Sequence, residues 1–177
     1  MISHSQAGQD IFVRRILGEN KPRFFLDIGC AGDQYSNTLA LEQEGWTGIL
    51  VDVDDTAKGR KTPFVRGDAT KIRLPLPDYV DYLSLDIDFG TYDALVNILS
   101  HGVKFGIITI EHDAYRFGDE LRVPERALLN AAGYTLICAD VCGIPEAPFE
   151  DWWISKELYS SASESIGAGH LWSDIIK

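Results

Sequence analysis

The sequence predicts an α/β protein built on a doubly wound, mostly parallel, Rossmann-like sheet with an antiparallel last strand. Three observations carry this expectation. Short apolar runs alternate with helical patterns along all 177 residues. The first run, Phe24-Phe25-Leu26-Asp27-Ile28, passes directly into the small-residue turn Gly29-Cys30-Ala31-Gly32 and then into a helix, which is the opening of a nucleotide site. Successive runs also end in acids, at Asp27, Asp52, Asp68, Asp86 and Glu111, and a doubly wound sheet gathers such strand ends on one rim.

The elements follow in order. Residues 1 to 5 are expected to be mobile, and Ser5-Gln6 introduces a helix over 7–17 with Phe12, Val13, Ile16 and Leu17 on one face before Gly18. Gln6 and Asp10 are surface caps of that helix or face a ligand. After the first strand, Ser36, Asn37 or Thr38 caps a helix through Leu39, Ala40 and Leu41 that stops at Gly45. Thr47 to Asp54 is the second strand. Asp55 to Thr62 has little apolar periodicity, so it reads as a turn or loop, and its basic cluster Lys58-Gly59-Arg60-Lys61 reads as solvated. The third strand begins at Phe64-Val65 and ends at Gly67-Asp68-Ala69. Leu74-Pro75-Leu76-Pro77 is an extended loop, because Pro excludes a helix there. Tyr79 to Asp88 is the fourth strand, in which an extended chain points Asp86 and Asp88 the same way. Thr91 caps a helix carrying Tyr92, Leu95, Val96 and Leu99, which Gly102 closes. Phe105 to Ile110 is nearly continuous apolar sequence, as at the centre of a parallel sheet, and Glu111-His112-Asp113 follows it. Pro124 suits the first turn of a helix that ends at Gly133. A strand over 134–139 comes next, then Glu150 to Ile154 as the antiparallel strand, with Trp152 and Trp153 divided between core and rim. The remainder is a short helix and a frayed tail. One domain spans 1–177, with 1–4 and about 160–177 peripheral.

Composition excludes several classes. A net charge of −11 argues against a nucleic-acid partner, since binding a phosphate backbone needs a positive footprint. Hydrophobic residues make up 45% and charged residues 24%, so the chain is globular rather than disordered or fibrous. Cys30, Cys138 and Cys142 include no CxxC pair, which suggests neither a disulfide framework nor a structural zinc site. No apolar run has the length of a signal core or a membrane span, so the expectation is a cytoplasmic protein with no membrane partner.

The rim acids suggest chemistry. Gly29-x-x-Gly32 lacks the third spaced glycine of the dinucleotide fingerprint. Asp52, however, ends the second strand about 25 residues after Asp27, near the spacing at which an acid meets ribose hydroxyls, and Asp68 suits an adenine amino group. Residues 27 to 38 contain no Lys or Arg, which disfavours phosphates and favours an adenosyl ligand without them. The candidate binding set is Asp27, Gly29, Cys30, Ser36, Asn37, Asp52, Asp68 and Ala69. Beside it, Asp86, Asp88, Glu111, His112 and Asp113 form a cluster in which like charges repel by about 4 kcal/mol per pair at an effective dielectric near 20. A divalent cation, Arg116 or Arg122, or protonation must offset that repulsion. Either Asp86, Asp88 and Glu111 hold Mg²⁺ or another divalent cation that acidifies a substrate hydroxyl, or His112 acts as general base with Glu111 and Asp86 beside it. The plainer alternative is that these acids pair with Arg or cap helices. Tyr115 and Phe117 are candidates to line a substrate pocket.

The motifs Ser5-Gln6-x-Gly8-Gln9-Asp10, Asp27-Ile28-Gly29, Ser36-Asn37-Thr38, Gly45-Trp46-x-Gly48-Ile49, Gly67-Asp68-Ala69, Leu83-Ser84-Leu85-Asp86-x-Asp88, Ile110-Glu111-His112, Gly133-Tyr134 and Glu150-Asp151-Trp152-Trp153 occur in this order from about residue 5 to 155. In them the chain resembles the FkbM-like branch of the class I S-adenosylmethionine-dependent methyltransferases. The resemblance implies a Rossmann-like methyltransferase sheet, S-adenosylmethionine near Asp27, Gly29, Asp52 and Asp68, and methyl transfer to an oxygen of a small-molecule acceptor, often a sugar or polyketide-like product. The chain departs from the family pattern in a glycine turn about one residue shorter and in Asp52, where Glu is usual. It is also short for the class, so either the acceptor is large and exposed or a homo-oligomer completes the pocket. The rival expectations are a catalytically silent adenosyl-ligand-binding domain, an NAD-dependent oxidoreductase, disfavoured by the missing glycine and the lack of a Tyr-x-x-x-Lys pair, and a hydrolase built on the acidic rim.

Overall fold

The computed structural model describes residues 3–18, 21, 23–30, 32, 35–55, 57–142 and 146–162. Seven strands, β1 (Phe24–Ile28), β2 (Thr47–Asp52), β3 (Phe64–Arg66), β4 (Tyr79–Leu85), β5 (Lys104–Glu111), β6 (Tyr134–Val141) and β7 (Glu150–Ser155), form one sheet in the order β3-β2-β1-β4-β5-β7-β6. The first five positions run parallel, and β7 lies antiparallel between β5 and β6. The fold is therefore the expected Rossmann-like methyltransferase sheet. Its helices are α1 (Gln9–Leu17), α2 (Leu39–Gln43), α3 (Thr91–Leu99), α4 (Ala114–Phe117), α5 (Asp119–Ala131) and α6 (Lys156–Ala162).

The period-two alternation of the strands builds two cores. Phe25, Leu50, Tyr82, Ile107 and Trp152 pack with Phe12 and Val13 of α1 and Leu41 of α2. Their neighbours Leu26, Val51, Leu83, Ile108 and Trp153 pack with Leu95 and Ile98 of α3 and Leu129 of α5. Both tryptophans are fully buried, one in each core, which corrects the expected division between core and rim. Trp152 stacks on Phe12 with ring centroids 4.6 Å apart. At roughly 25 cal/mol per Å² over the ~150–250 Å² that such a ring buries, each contributes on the order of 4–6 kcal/mol before entropy is subtracted.

Several boundaries differ from expectation. Strand β4 stops at Leu85 because Ile87 leaves the extended region and Asp88 takes a left-handed φ of 52°, opening a 3-10 turn over Asp88–Gly90. Asp86 and Asp88 thus do not share one face of a strand. Strand β2 likewise stops at Asp52 rather than Asp54. Helix α5 begins at Asp119, after Gly118, so Pro124 lies inside it rather than in its first turn, where Asp119 and Glu120 complement the helix dipole instead. The segment 3–5, expected to be mobile, is pinned: the Ser3 and Ser5 hydroxyls each donate to Asp10 Oδ1 at 2.7 Å, and Ser5 bridges to Tyr35. Asp10 also accepts from Arg14, so it organises the entry to α1. The expected mobile residues 1–2 and the tail from 163 lie outside the described residues. No described helix is long and apolar enough to cross a membrane.

Candidate functional site

In this sheet order the chain winds outward in opposite directions from β1 and β4, and ligands of such sheets bind at the carboxyl ends of the strands beside that switch point. The turn after β1 is pressed against the end of β4. Asp86 N donates to Ile28 O, and Gly29 N donates to Val51 O, both at 2.9 Å. Gly29 has φ +79°, and a Cβ there would lie 1.6 Å from the carbonyl oxygen of Asp86. Only glycine lets the three strand ends meet this closely. Next to that contact is a pocket of about 180 Å³ whose lining includes Ile28, Val51, Asp52, Asp68, Ala69 and Ile87. Whole-ligand pockets are on the order of 300–1,000 Å³, so this one has room for part of a ligand. The Asp68 carboxyl is held down to about 2 by hydrogen bonds from Lys71 and Thr70, and it is anionic at neutral pH. A larger cavity of about 540 Å³ lies at the opposite strand ends, between Tyr79, Lys104, Tyr134 and Lys156, away from the switch point.

The other candidate binding residues form the floor beneath the turn. Thr38 donates its hydroxyl proton to Asp27 Oδ2, and Asp27 is buried. Burial pushes the Asp27 carboxyl up to about 6, opposed by the Thr38 hydrogen bond and by the charge of Arg60. Ser36 Oγ accepts from the amide of Leu39, the first residue of α2, at 3.1 Å, while Thr38 occupies the N-cap position without a side-chain capping bond. Asn37 donates to Ser84 Oγ at 3.0 Å, while its buried Oδ1 has no donor among the described residues. Cys30 is buried in the apolar cluster with Phe25 and Leu41. Arg60 was not among the expected site residues. Its side chain is 2% exposed and donates to Glu42 Oε2 at 3.2 Å and to Ser36 Oγ and Thr38 Oγ1 at 3.0 Å each.

The acidic cluster divides into three units, each with its own charge balance. Asp86 and Glu111 share a hydrogen bond; burial raises both carboxyls, Asp86 raises Glu111 further to about 10, and the bond from Glu111 lowers Asp86, so Glu111 is the member that keeps the proton at neutral pH. The amide of Asp88 donates to Glu111 Oε2 at 3.1 Å. Asp88 and Asp113 are bridged by the guanidinium of Arg116, which lies 2.7 Å from Asp113 Oδ2. The third unit is His112, fully buried: Nδ1 accepts from the amide of Ala114 at 3.1 Å, and Nε2 lies 3.4 Å from Asp151 Oδ1 and 3.7 Å from Asp140 Oδ1. Although burial pushes the Asp151 carboxyl up, two bonds from Arg126 at 2.7 and 2.8 Å hold it below the usual range. Among the described residues, the suggested metal ligands Asp86, Asp88 and Glu111 do not converge as one triad; the acids whose oxygens all lie within 4.8 Å of one another are Asp88, Glu111 and Asp113. Arg116 and the Glu111 proton each lessen the repulsion among the clustered charges. Phe89 and Tyr115 stand exposed beside this cluster, and Phe117 meets Phe89 edge to face at 5.4 Å. Glu150, another residue not foreseen as part of the site, faces Glu111 across the β5 and β7 pair, buried and bonded by Gln9 and Trp152 at 2.8 Å each.

The same architecture occurs in solved methyltransferases. A TehB-like SAM-dependent methyltransferase from Corynebacterium glutamicum superposes with a TM-score of 0.58 at 23% identity over 86% of this chain and 89% of its own. An rRNA methylase from Streptococcus thermophilus gives 0.60 at 12% identity over 88% and 98%. The magnesium protoporphyrin IX methyltransferase of Synechocystis, with SAM bound, gives 0.58 at 13% over 84% and 78%. No family model matches the chain, and no curated sequence matches it. By fold the chain thus falls in the class I methyltransferase architecture.

Proposed function

We propose that this protein is an S-adenosylmethionine-dependent methyltransferase of FkbM-like character that methylates a hydroxyl on a sugar or another small natural product. The observation that carries the reading is the switch point itself: the Gly29 turn pressed on Asp86, with Asp52 and Asp68 lining the pocket on one side and the Asp86–Glu111 pair on the other. The residues fit the cofactor. Gly29 lets the β1 turn close onto Asp86 at the edge of the pocket, and Asn37 Oδ1 is a buried acceptor that lacks a donor among the described residues. Asp52 would receive ribose hydroxyls, Asp68 and Ala69 the adenine, and Asp27 with Asn37 the ammonium of the methionine end. When bound, S-adenosylmethionine supplies an electrophilic methyl group. The chain's own contribution is alignment and removal of the acceptor proton. With one proton between them, Asp86 and Glu111 carry one negative charge, and a free carboxylate oxygen of the pair takes the hydroxyl proton as its oxygen is methylated. His112 takes no part in proton transfer in this scheme: it is fully buried, its Nδ1 accepts from the Ala114 amide, and its Nε2, without a hydrogen-bond partner among the described residues, lies 3.4 Å from Asp151 Oδ1.

Methyl-labelled cofactor offered with a panel of sugars, polyketide-type alcohols, amines and rRNA tests the acceptor class. Label in an alkali-stable ether of a small alcohol is expected, and the net charge of −11 supports that choice over RNA. Cofactor binding without transfer to any member would favour the silent binding domain. Asp52→Ala is expected to weaken S-adenosylhomocysteine binding at least tenfold, on the order of 1.4 kcal/mol, and unchanged affinity would remove Asp52 from the ribose site.

Asp88, Glu111 and Asp113 favour a second arrangement, in which Mg²⁺ or another divalent cation is held by carboxylates whose oxygens lie within 4.8 Å of one another. A cation there would have to displace Arg116 from Asp88 and Asp113. Full turnover in chelator would support the carboxyl pair; turnover lost to chelator and restored by Mg²⁺ would support the cation.

A further inference from the structure

Arg60 belongs to the basic stretch Lys58-Gly59-Arg60-Lys61, yet its side chain is 2% exposed while Lys58 stands in solvent. Burying a guanidinium is costly unless each donor finds a partner. Here Nε bonds Glu42, Nη1 bonds the Ser36 hydroxyl and Nη2 bonds the Thr38 hydroxyl. Thr38 in turn donates a hydrogen bond to Asp27, near the carboxyl end of β1. The loop after β2 thereby ties α2, the 36–38 segment and the first-strand acid into one unit. A surface clamp would not need a relay that ends on a buried acid. We propose that Arg60 is a positioning residue of the cofactor site, holding the 36–38 segment and the Asp27 carboxylate, through the Ser36 and Thr38 hydroxyls, in the arrangement that receives the cationic methionine end of S-adenosylmethionine. This rests on the cofactor reading given above.

The charge of Asp27 makes the role measurable. The groups that face it are Arg60 from the β2–β3 loop, Asp86 beyond β4 and Tyr82 within β4, together with the Thr38 and Ser84 hydroxyls. Burial, then Asp86, favour the neutral acid; Thr38, Arg60 and Ser84 favour the anion. With the balance near 6, removing Arg60 moves the ionisation of Asp27 upward, toward physiological pH.

The experiment is titration of the full-length wild type and of Arg60→Gln with S-adenosylhomocysteine across pH. It is read as the ratio of their dissociation constants, in which the ligand's own titration cancels. The ratio is expected to be several-fold or more near pH 6 and to shrink toward one near pH 8.5, because a raised Asp27 value costs affinity only where the acid is then protonated. Arg60→Lys, which keeps the charge and loses the fork, is expected to restore the wild-type pH profile. If Arg60→Gln does not fold, Thr38→Val removes the linking hydroxyl and should give the same pH-dependent loss. A ratio that is constant across pH, or that stays near one, would overturn the role of Arg60. Absence of binding by the wild type would instead overturn the cofactor reading itself.

Discussion

Glu111→Gln is expected to lower turnover on the order of 10²–10⁴-fold while leaving S-adenosylhomocysteine affinity within about threefold. The amide of Gln donates to Asp86 and cannot exchange a proton with it, so Asp86 is held as a stable anion and becomes a poor base. The same change should stabilise the fold at high pH. Burial and Asp86 hold Glu111 neutral in the folded protein, whereas in the unfolded chain it ionises near 4.5. Above that pH the folded state binds the extra proton, so wild-type stability falls as pH rises. Gln removes the dependence. The variant should therefore melt above the wild type near pH 9 and level with it near pH 4, as scanning calorimetry would show. Activity retained in Glu111→Gln would remove the carboxyl pair from catalysis, and a melting difference independent of pH would contradict the shared proton.

Gly29→Ala should be the most damaging glycine-to-alanine change among the described residues. A φ of +79° costs a residue with a Cβ on the order of 1–2 kcal/mol, and the new atom would start 1.6 Å from the Asp86 carbonyl oxygen. The clash is with backbone on both sides, so only separation of the β1 turn from the end of β4 relieves it. A loss of more than about 3 kcal/mol is expected, a fall of roughly 6–12 °C in Tm for a domain of this size, together with at least a tenfold loss of cofactor affinity. Gly45→Ala is the control. Gly45 has φ +89° with nothing within 4 Å of the added Cβ, so it should lose only the conformational cost, about 1–2 kcal/mol. Equal effects at the two positions would mean that the strand ends are not in the close contact described.

The fold was legible because its signals are local and repeated. Alternating apolar runs define the strands, and the rule that parallel connections cross over with one hand brings Asp52, Asp68 and Asp86 to a common rim without any knowledge of contacts. The boundaries that failed are those set by neighbours. The extended reading of Asp86 to Asp88 follows from sequence pattern, but β4 ends where Asp86 must hydrogen-bond to Ile28 and make room for Gly29. Pro124 carries a first-turn preference, yet the packing of Leu121 and Leu129 extends α5 upstream of it.

The site was legible in its residue types and less so in their partners. His112 does sit among acids at the end of β5, as the sequence suggests. Its orientation is fixed by the left-handed Asp113, φ 44°, and by Phe149, whose carbonyl accepts from the amides of both residues; neither leaves a sequence signal. Arg60 is the clearest omission. Nothing in Lys58-Gly59-Arg60-Lys61 distinguishes the one buried cation, because what buries it is Glu42 on another element and two hydroxyls near the glycine turn. Glu150 lay inside a recognised motif, but its burial against Gln9 and Trp152 depends on α1 packing over β7.

The most direct test is calorimetric titration of the purified protein with S-adenosylhomocysteine, with NAD and ATP as controls. Binding of the first ligand alone at micromolar strength, about −8 kcal/mol, is the expected result. No binding of S-adenosylhomocysteine, or binding of NAD of equal strength, would contradict the assignment of the switch-point pocket to an adenosyl cofactor without phosphates.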